Sequence, residues 1–549
     1  MYAMSQHSPK IETVLETISP ETSYIPESSV NLGITAFTET ASVSFPQLLD
    51  FAFPPSAGET PVAQIGQITY VGDGVVHVVG LDKTSIDEIV EVYTSRNYIE
   101  KALILSVSQV LVEAVVLGDF SAIKRGDQVR STGRKLQIPT GSKLLGRVIN
   151  PLGRALDGLG PIPMENMRSV EFPAPGVMDR EPIIRPLHTG IAVIDAIIPI
   201  GKGQRELVIG DRKTGKTRTL IDIISNQKDQ NIHCVYVGVG MQAAKAKTTL
   251  KLLADRDALK YTSLVIALAD DPPSLQYIAP YVGTAIAEGF MYDGKDALII
   301  YDDLSKQAKA YRQVSLLLKR SPGRDAYPGD IFFLHSRLLE RASQLSPEKK
   351  GGSLTALPIA ETQSGDVSDY IITNLMSITD GHVYLDSGLL NEGILPAVNS
   401  GTSVSRVGGK VQSKLLQKVG ELTSRILIRY EEVKSYETIN TEVSEETISD
   451  IKRGKRMKEV FSQDSAVNLS LDEEIILLGL TISSRLDHLE PNHISTFKNN
   501  LIDFYRQHNY AHLRVLAHEA KDLSDLDPAL DSLFASFSRQ YKLPIKKTL

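Results

Sequence analysis

One stretch of the chain has the residue types and spacing of a phosphate-binding loop. Gly210, Gly215, Lys216 and Thr217 fit the pattern G-x-x-x-x-G-K-[ST]. Glycines let the backbone turn tightly and aim successive N–H groups at phosphate oxygens. The lysine reaches the terminal phosphates, and the threonine hydroxyl can hold Mg²⁺. Because an apolar strand precedes the loop and a helical apolar pattern follows it, the sequence predicts a site for ATP or ADP with magnesium. The predicted nucleotide contacts of the loop are Gly210, Asp211, Arg212, Lys213, Thr214, Gly215, Lys216 and Thr217.

A second apolar strand, predicted over residues 297–301, ends in the carboxylates Asp302 and Asp303. This is typical of the strand whose terminal aspartate contacts Mg²⁺ through water in nucleotide-binding sheets. We therefore predict Thr217 and Asp302 as the magnesium-binding pair, Asp302 acting through water. An N-cap or turn role for these aspartates is the alternative.

Hydrolysis also needs a group that orients or activates water, and the sequence has no carboxylate where a sheet ATPase of this kind would carry one. The strand predicted over residues 234–240 is followed by Met241 and Gln242, and no acid lies between Gly238 and Ala254. Methionine cannot accept a proton, and glutamine can at best position water. The loop is therefore expected to bind a nucleotide without turning it over.

Composition limits the class of protein that carries this loop. The chain has 549 residues, a net charge of −7, 42% hydrophobic and 23% charged residues, and a single cysteine. These values are ordinary for globular domains and exclude a mostly disordered chain, a collagen-like repeat and a coiled-coil rod. A lone Cys234 cannot form an internal disulfide or a cysteine-based zinc site. The acidic balance also disfavours a strongly basic nucleic-acid binder.

The hydrophobic pattern divides the chain into four parts. Residues 1–60 hold one lysine and seven acids and are expected to form an acidic, flexible arm. Short apolar runs between turns predict an antiparallel β-barrel over residues 61–134. Alternating strands and helices predict a phosphate-loop domain with a mainly parallel sheet over residues 135–410. The fold class of the chain as a whole is therefore multidomain α/β. Three- and four-residue apolar spacing predicts a helical domain over residues 411–549. Within it, a capping box at Ser470 and Glu473 precedes an apolar helix predicted over Ile475 to Leu489.

No stretch has the length and apolarity of a membrane-spanning helix. The N-terminal residues fit neither a secretory signal nor an Arg-rich transit peptide.

Several separate blocks of the sequence resemble the alpha subunits of F-type ATP synthases. They lie at residues 189–217, 298–308, 322–330, 353–366 and 396–408, and the similarity extends over roughly residues 62 to 545. The resemblance implies an alternating ring of three alpha-type and three beta-type subunits around a rotating, gamma-type central stalk. A peripheral stalk is a further candidate partner, and no nucleic acid is implied. The resemblance implies a peripheral protein at the cytoplasmic face of a bacterial-type membrane, in contact with the membrane only through an ion-translocating sector. It also implies that the alpha chain holds a non-catalytic nucleotide while beta carries the catalytic sites.

The resemblance assigns roles to three further residues. Arg406 falls where alpha chains lend an arginine to the neighbouring catalytic site, and Ser403 in the same loop is usually needed for activity. A guanidinium suits that role because it stabilises charge on a phosphoryl group in transfer. Gln463 falls on a glutamine that contributes to the adenine pocket.

Four positions depart from the family pattern. Lys213 and Met241 stand where alpha chains usually carry glutamine, Leu395 where an arginine lines the adenine pocket, and Ser465 where a second glutamine does. The phosphate contacts are thus retained while base recognition is altered. The acidic arm also lacks the helix by which family members usually meet the peripheral stalk.

Several functions compete. The leading one is an alpha-type subunit that supports ATP synthesis coupled to ion transport, hydrogen ions among the candidate ions. The alternatives are an alpha-like subunit of a specialised ATP-hydrolysing motor, a self-sufficient homohexameric ATPase, a ring helicase, and a structural relative that has lost its nucleotide. The missing acid after Gly240 disfavours the second alternative. The absence of tryptophan and of a basic body disfavours the helicase.

Overall fold

The structure is a computed structural model and describes residues 64–95, 98–437, 444–465, 467–508 and 510–541. The chain folds into two compact units, each built from more than one segment. Among the described residues, the first unit takes 64–179, 233–341 and 345–354, and the second takes 180–232, 342–344 and 355–541.

In chain order, the strands of the described residues are β1 (Ile65–Gly72), β2 (Val75–Val79), β3 (Glu88–Tyr93), β4 (Ile99–Val107), β5 (Val112–Val116), β6 (Gln128–Lys135), β7 (Gln137–Pro139), β8 (Val148–Ile149), β9 (Met167–Ser169), β10 (Pro186–Leu187), β11 (Ile200–Gly201), β12 (Glu206–Gly210), β13 (Ile232–Met241), β14 (Thr262–Leu268), β15 (Asp296–Asp302), β16 (Ser353–Glu361), β17 (Gly381–Leu385) and β18 (Val404–Ser405). The α-helices are α1 (Ala192–Ile197), α2 (Lys216–Asn226), α3 (Ala243–Asp255), α4 (Pro273–Tyr292), α5 (Leu304–Leu317), α6 (Ile331–Leu339), α7 (Tyr370–Ile378), α8 (Ser387–Asn391), α9 (Lys414–Val433), α10 (Glu445–Phe461), α11 (Leu471–Ile482), α12 (Pro491–Gln507), α13 (Ala511–Glu519) and α14 (Asp527–Tyr541).

The first unit begins with a closed antiparallel barrel in the order β1-β2-β5-β4-β3-β6. Alternate side chains of its strands point inward, so that Ile68, Val76, Val78, Val90 and Ile104 belong to one buried cluster. Closure leaves no unpaired strand edge in the barrel. The same unit contains the strands β15-β13-β14-β8 in that order, of which β13 and β14 are almost continuously buried and pair in parallel. Such runs are typical of a sheet covered on both faces.

The second unit contains the strand that leads into the phosphate loop. Here the order is β18-β17-β12-β16, with β12 parallel to both β16 and β17 and with β18 antiparallel to β17. Every residue of β12 is buried, which fixes the position at which the loop leaves the sheet.

The remainder of the second unit is helical. Ser413 caps α9 by accepting a hydrogen bond from the Leu416 N–H, and Gly454 of α10 lies against the ring of Tyr430, where a Cβ atom would approach within 2.3 Å. The capping box expected at Ser470 and Glu473 is present at the start of α11. That helix ends at Ile482 rather than at Leu489 as its apolar pattern predicted, and residues 483–488 form turns instead.

The predicted fold class is therefore confirmed: an antiparallel barrel, a mainly parallel nucleotide-binding sheet and a helical C-terminal part. The domain boundaries proposed from the sequence stay predictions. The acidic arm of residues 1–60 lies outside the described residues.

A buried ion pair in the first unit generates a stability prediction. The side chains of Arg341 and Glu288 are both 0% exposed and form two hydrogen bonds of 2.7 Å, while Arg168 also donates to Glu288. Replacing Arg341 by Met removes most of the compensation for a buried carboxylate, which costs about 3 kcal/mol or more. We expect a clearly lowered urea midpoint for Arg341→Met. The matched control Arg425→Met breaks an exposed pair and should lower the free energy of unfolding by less than about 1 kcal/mol. Equal losses in the two variants would contradict a special contribution of the buried pair.

Candidate nucleotide-binding site

The phosphate loop joins β12 to α2, and its geometry depends on two glycines. Gly210 has φ of 155°, and a Cβ there would meet the Leu385 carbonyl oxygen at 2.5 Å. Gly215, the last residue before α2, has φ of 93°, in the left-handed region, and no other segment of the described residues has an atom within 4 Å of the place a Cβ would take. The space over Gly215 is therefore open toward the N-terminus of α2, where the first N–H groups of a helix are available to an anion.

Lys216 is buried, and its ammonium group bonds within the loop. Its Nζ donates to the Gly210 carbonyl oxygen at 2.7 Å and to the Asp211 carbonyl oxygen. The charge is thus held at the mouth of the loop, where phosphate oxygens would replace neutral carbonyls as acceptors. A charge-assisted bond to phosphate is stronger than either bond it replaces.

Residues after β16 hold the loop in place. The Asp211 carboxylate accepts hydrogen bonds from the Gly365 N–H at 2.8 Å and the Thr362 hydroxyl at 2.7 Å, which keeps the pKa of Asp211 below its usual value. The Thr362 N–H donates in turn to the Gly210 carbonyl at 3.0 Å. Asp211 is therefore a brace for the loop, a role that its position in the motif alone does not indicate.

The remaining loop residues have separate local roles. Arg212 is exposed and pairs with Glu361 at 3.2 Å. Lys213 has φ of 65°, in the left-handed region, at the turn of the loop. The loop therefore carries a charged side chain at this turn. The Thr214 hydroxyl donates to the Asp211 carbonyl at 2.8 Å, and Thr217 lies in the first turn of α2.

Gln463, expected near the base, is buried with its amide bonded to the backbone. Its Oε1 accepts from the Ala192 N–H at 2.8 Å, and its Nε2 donates to the carbonyl oxygens of Gly190 at 3.0 Å and Val467 at 3.2 Å. In this arrangement the amide positions a backbone turn, and a contact with a base would require exchange of these bonds. Its assignment to the base pocket stays a prediction.

Arg218 is a residue that the sequence reasoning missed. Its Nε donates to the Ser465 hydroxyl, which itself donates to the Asp222 carboxylate at 3.2 Å. A side chain from the first turn of the phosphate-loop helix thus lies against the segment where base contacts were expected. One signal in the sequence could have indicated Arg218, because this arginine directly follows Thr217 of the motif.

In the first unit, Asp302 ends β15 and is buried. Its Oδ2 accepts from the Tyr236 hydroxyl at 2.6 Å and from the Lys245 ammonium at 2.9 Å. Burial, together with this carboxylate, raises the pKa of Tyr236 well above its usual value, so the phenol remains a donor. Asp302 therefore accepts from a phenol and an ammonium group at the end of β15, and its expected magnesium role stays a prediction.

The end of β13 has no acid-base group. Met241 is fully buried and ends the strand, and Gln242 precedes α3 without a side-chain capping bond. Lys245, one turn into α3, is directed at Asp302. Nothing at this strand end can take a proton from water as a carboxylate would.

Arg406 and Ser403 occupy a different loop, on either side of β18. The Ser403 hydroxyl accepts from the Tyr384 N–H at 2.9 Å and donates to the Asn399 carbonyl at 2.7 Å. The Arg406 guanidinium is exposed and donates to the Thr379 carbonyl at 3.2 Å and, more weakly, to the Met376 carbonyl. Ser403 therefore holds the loop in its conformation, while the Arg406 side chain is exposed at the surface of the chain.

A further contact fixes the backbone of this loop. Arg205, the residue before β12, forms a two-pronged ion pair with Asp380, at 3.0 and 2.6 Å. The Asp380 carbonyl accepts from the Arg406 N–H at 2.8 Å. One aspartate thus connects the start of the phosphate-loop strand to the arginine loop.

Comparisons with known proteins follow the same division of the chain. Residues 190–405 match the nucleotide-binding domain of the ATP synthase alpha/beta family, and residues 412–537 match the C-terminal domain of the ATP synthase alpha/beta chain. The chain is 45% identical over 479 residues to the ATP synthase subunit alpha of Streptococcus mutans, covering 87% of this chain and 94% of the relative. It is 44% identical over 486 residues to the ATP synthase subunit alpha of Ligilactobacillus salivarius, covering 88% and 96%. In the described part of the chain, no helix is both long and apolar enough to cross a membrane.

The brace at Asp211 generates a prediction about affinity. Asp211→Ala removes the acceptor for the Thr362 hydroxyl and the Gly365 N–H, which frees the loop to leave its binding conformation. We expect nucleotide affinity of the isolated chain to fall about tenfold, or ~1.4 kcal/mol, in a titration with a fluorescent ATP analogue. The exposed Asp255→Ala variant is the control, and equal affinities of the two variants would show that the brace is not needed.

Proposed function

The chain belongs to the ATP synthase alpha/beta family, and from that membership we propose that it is a non-catalytic, nucleotide-binding alpha-type subunit of a rotary F-type ATP synthase. The observation that carries this proposal is an intact phosphate loop in a chain whose strand β13 ends at Met241 and is followed by Gln242. Such a chain can hold a nucleotide but lacks the group that would activate water.

The phosphate loop fits the nucleotide that the family name implies. The open space over Gly215 and the buried ammonium of Lys216 supply a cradle and a charge for the phosphates. The Thr217 hydroxyl is the proposed magnesium ligand within the loop, with Asp302 expected through water. Bound magnesium would neutralise phosphate charge, while Lys216 and the backbone of the loop orient the phosphates.

The base contacts of this nucleotide are proposed to differ from the family pattern. Leu395 cannot donate to a base, Gln463 is bonded to backbone, and Ser465 is bonded to Arg218. The phosphates then supply most of the binding energy, and discrimination between purine bases is weaker than in chains with the usual arginine and glutamine.

We further propose that Arg406 acts outside this chain, in the catalytic site of a neighbouring beta-type subunit. An exposed guanidinium on a loop held by Ser403 and Asp380 suits that task, because it can stabilise charge on a transferred phosphoryl group without its own chain binding the substrate. The partners are then beta-type subunits in a three-plus-three ring and a gamma-type stalk.

The assembled enzyme would work at the cytoplasmic face of a bacterial-type membrane.

The second candidate function is an alpha-like subunit of a specialised ATP-hydrolysing motor. The four departures from the family pattern and the unusual acidic arm favour it.

The arginine assignment is tested in the reassembled ring. The purified chain alone should hydrolyse no ATP, whereas turnover should appear on mixing with the beta- and gamma-type subunits from the same source. Arg406→Ala should lower that turnover about 10³-fold or more without preventing assembly. Arg406→Lys should also fail because an ammonium does not reproduce the guanidinium fork.

The exposed Arg539→Ala variant serves as the control and should retain full turnover. Turnover by the chain alone, or normal turnover with Arg406→Ala, would instead favour a self-sufficient ATPase or an arginine from elsewhere.

The nucleotide assignment is tested separately in the isolated chain. Lys216→Gln should weaken ATP binding by about 1.5–3 kcal/mol, because a charge-assisted bond to phosphate is lost. The exposed Lys251→Gln variant should bind normally, and the ring built with Lys216→Gln should retain hydrolysis at the partner's sites. An unchanged affinity would mean that the loop does not hold the phosphates.

A further inference from the structure

Three chemically reactive side chains meet inside the second unit, away from the phosphate loop. We call them the His188 cluster: His188, after β10; Asp195, in α1; and Glu474, in the first turn of α11. The His188 Nε2 lies 3.3 Å from Asp195 Oδ2 and 3.6 Å from Glu474 Oε2. One ligand atom from each residue lies within 4.8 Å of the others.

The two carboxylates of the cluster have different environments. Asp195 accepts hydrogen bonds from the Thr189 N–H at 3.0 Å, the Thr189 hydroxyl at 2.8 Å and the Gly190 N–H at 2.9 Å. Glu474 is 0% exposed, and neither of its carboxylate oxygens has a hydrogen bond in the described residues. Since buried polar groups are almost always bonded, a fully buried carboxylate that faces only an imidazole and a second carboxylate calls for a partner.

Charge and distance indicate which partner would fit. When His188 is neutral, as a metal-ligating histidine must be, the cluster carries a charge of −2, which one divalent cation cancels. Zinc takes histidine nitrogen and carboxylate oxygen at about 2.0–2.2 Å in a tetrahedron, so its ligand atoms lie roughly 3.3–3.5 Å apart. The two distances from the His188 Nε2 are close to this spacing.

We propose that the His188 cluster binds one Zn²⁺ ion through His188, Asp195 and Glu474. A nitrogen ligand among carboxylates favours Zn²⁺ over Mg²⁺ or Ca²⁺, which prefer oxygen alone. The His188 side chain is 22% exposed while its Nε2 is buried, so the ion would enter past the imidazole, and water would take the fourth position. The three donors on Asp195 hold this ligand in place, as the second shell of a metal site does.

The other imidazole nitrogen sets a condition on the surroundings. His188 Nδ1 lies 3.0 Å from the Asn226 side-chain nitrogen, which also donates to the His188 carbonyl. A metal on Nε2 places the proton on Nδ1, which then needs an acceptor. A half-turn of the Asn226 amide supplies its oxygen, and the His188 carbonyl keeps the hydrogen bond from Gln227 at 3.0 Å.

The ion would connect parts of the second unit that are distant in sequence. Asn226 is the last residue of α2, whose first residue is Lys216. Glu474 belongs to the C-terminal helices and Asp195 to α1. Zinc would therefore fasten the far end of the phosphate-loop helix and α1 to α11.

Binding is tested on the untagged full-length chain, stripped with a chelator and kept in millimolar Mg²⁺. Titration with Co²⁺ should give the visible absorption of a tetrahedral nitrogen–oxygen site at one ion per chain, and Zn²⁺ should displace it. His188→Gln and the isosteric Glu474→Gln should abolish this spectrum and weaken Zn²⁺ binding at least tenfold. Asn226→Leu should weaken it about 10- to 100-fold. The exposed His493→Gln variant is the matched control and should bind as the parent chain does.

The parent chain failing to bind Zn²⁺ or Co²⁺ at one ion per chain would overturn the proposal, as would unchanged binding in both His188→Gln and Glu474→Gln. The first result would leave the cluster as an imidazole that shares protons with two carboxylates. ATP affinity measured on the same samples reports the phosphate loop independently. Circular dichroism of each variant identifies any loss of fold.

Discussion

The nucleotide-binding half of this chain depends on one tight turn between a fully buried strand and a helix. The turn needs positive φ at Gly210 and Gly215, with a backbone carbonyl pressed against one glycine and open space over the other. No other residue type fits these two positions. A Cβ at Gly210 would collide with the backbone carbonyl, and a Cβ at Gly215 would strain the left-handed backbone. The brace from Asp211 to the segment after β16 keeps the turn in this shape.

The same turn explains how a chain can keep a nucleotide without consuming it. Lys216 already satisfies its ammonium with carbonyls of its own loop, so binding exchanges weak acceptors for charged ones and requires little rearrangement. Catalysis would require a further proton acceptor near the attacking water, and the end of β13 supplies a buried thioether and an amide instead. Binding and turnover are thus separable properties, set by the ends of different strands.

Much of this architecture was predictable from the sequence because the signals were local. The phosphate loop, the capping box at Ser470 and the inward alternation of the barrel strands each depend on neighbouring residues. The end of α11 was not predictable from its pattern, because apolar side chains continue to Leu489 after the helical backbone has stopped. Contacts between distant segments were also out of reach: nothing in the sequence indicates that Glu474 meets His188, or that the amide of Gln463 bonds to Gly190.

In its proposed role, Arg406 must meet two opposed requirements: it must extend to a neighbouring subunit and yet be held in a fixed position. An arginine that acts on a neighbour's phosphates must stand at the surface, where long side chains ordinarily sample many rotamers at an entropic cost on binding. Here the backbone beneath it is fixed on both sides, by the Ser403 hydroxyl and by the Asp380 carbonyl. Because Asp380 is itself held by Arg205, just before β12, the loop proposed to serve the neighbour is fastened to the strand that carries this chain's own phosphate loop.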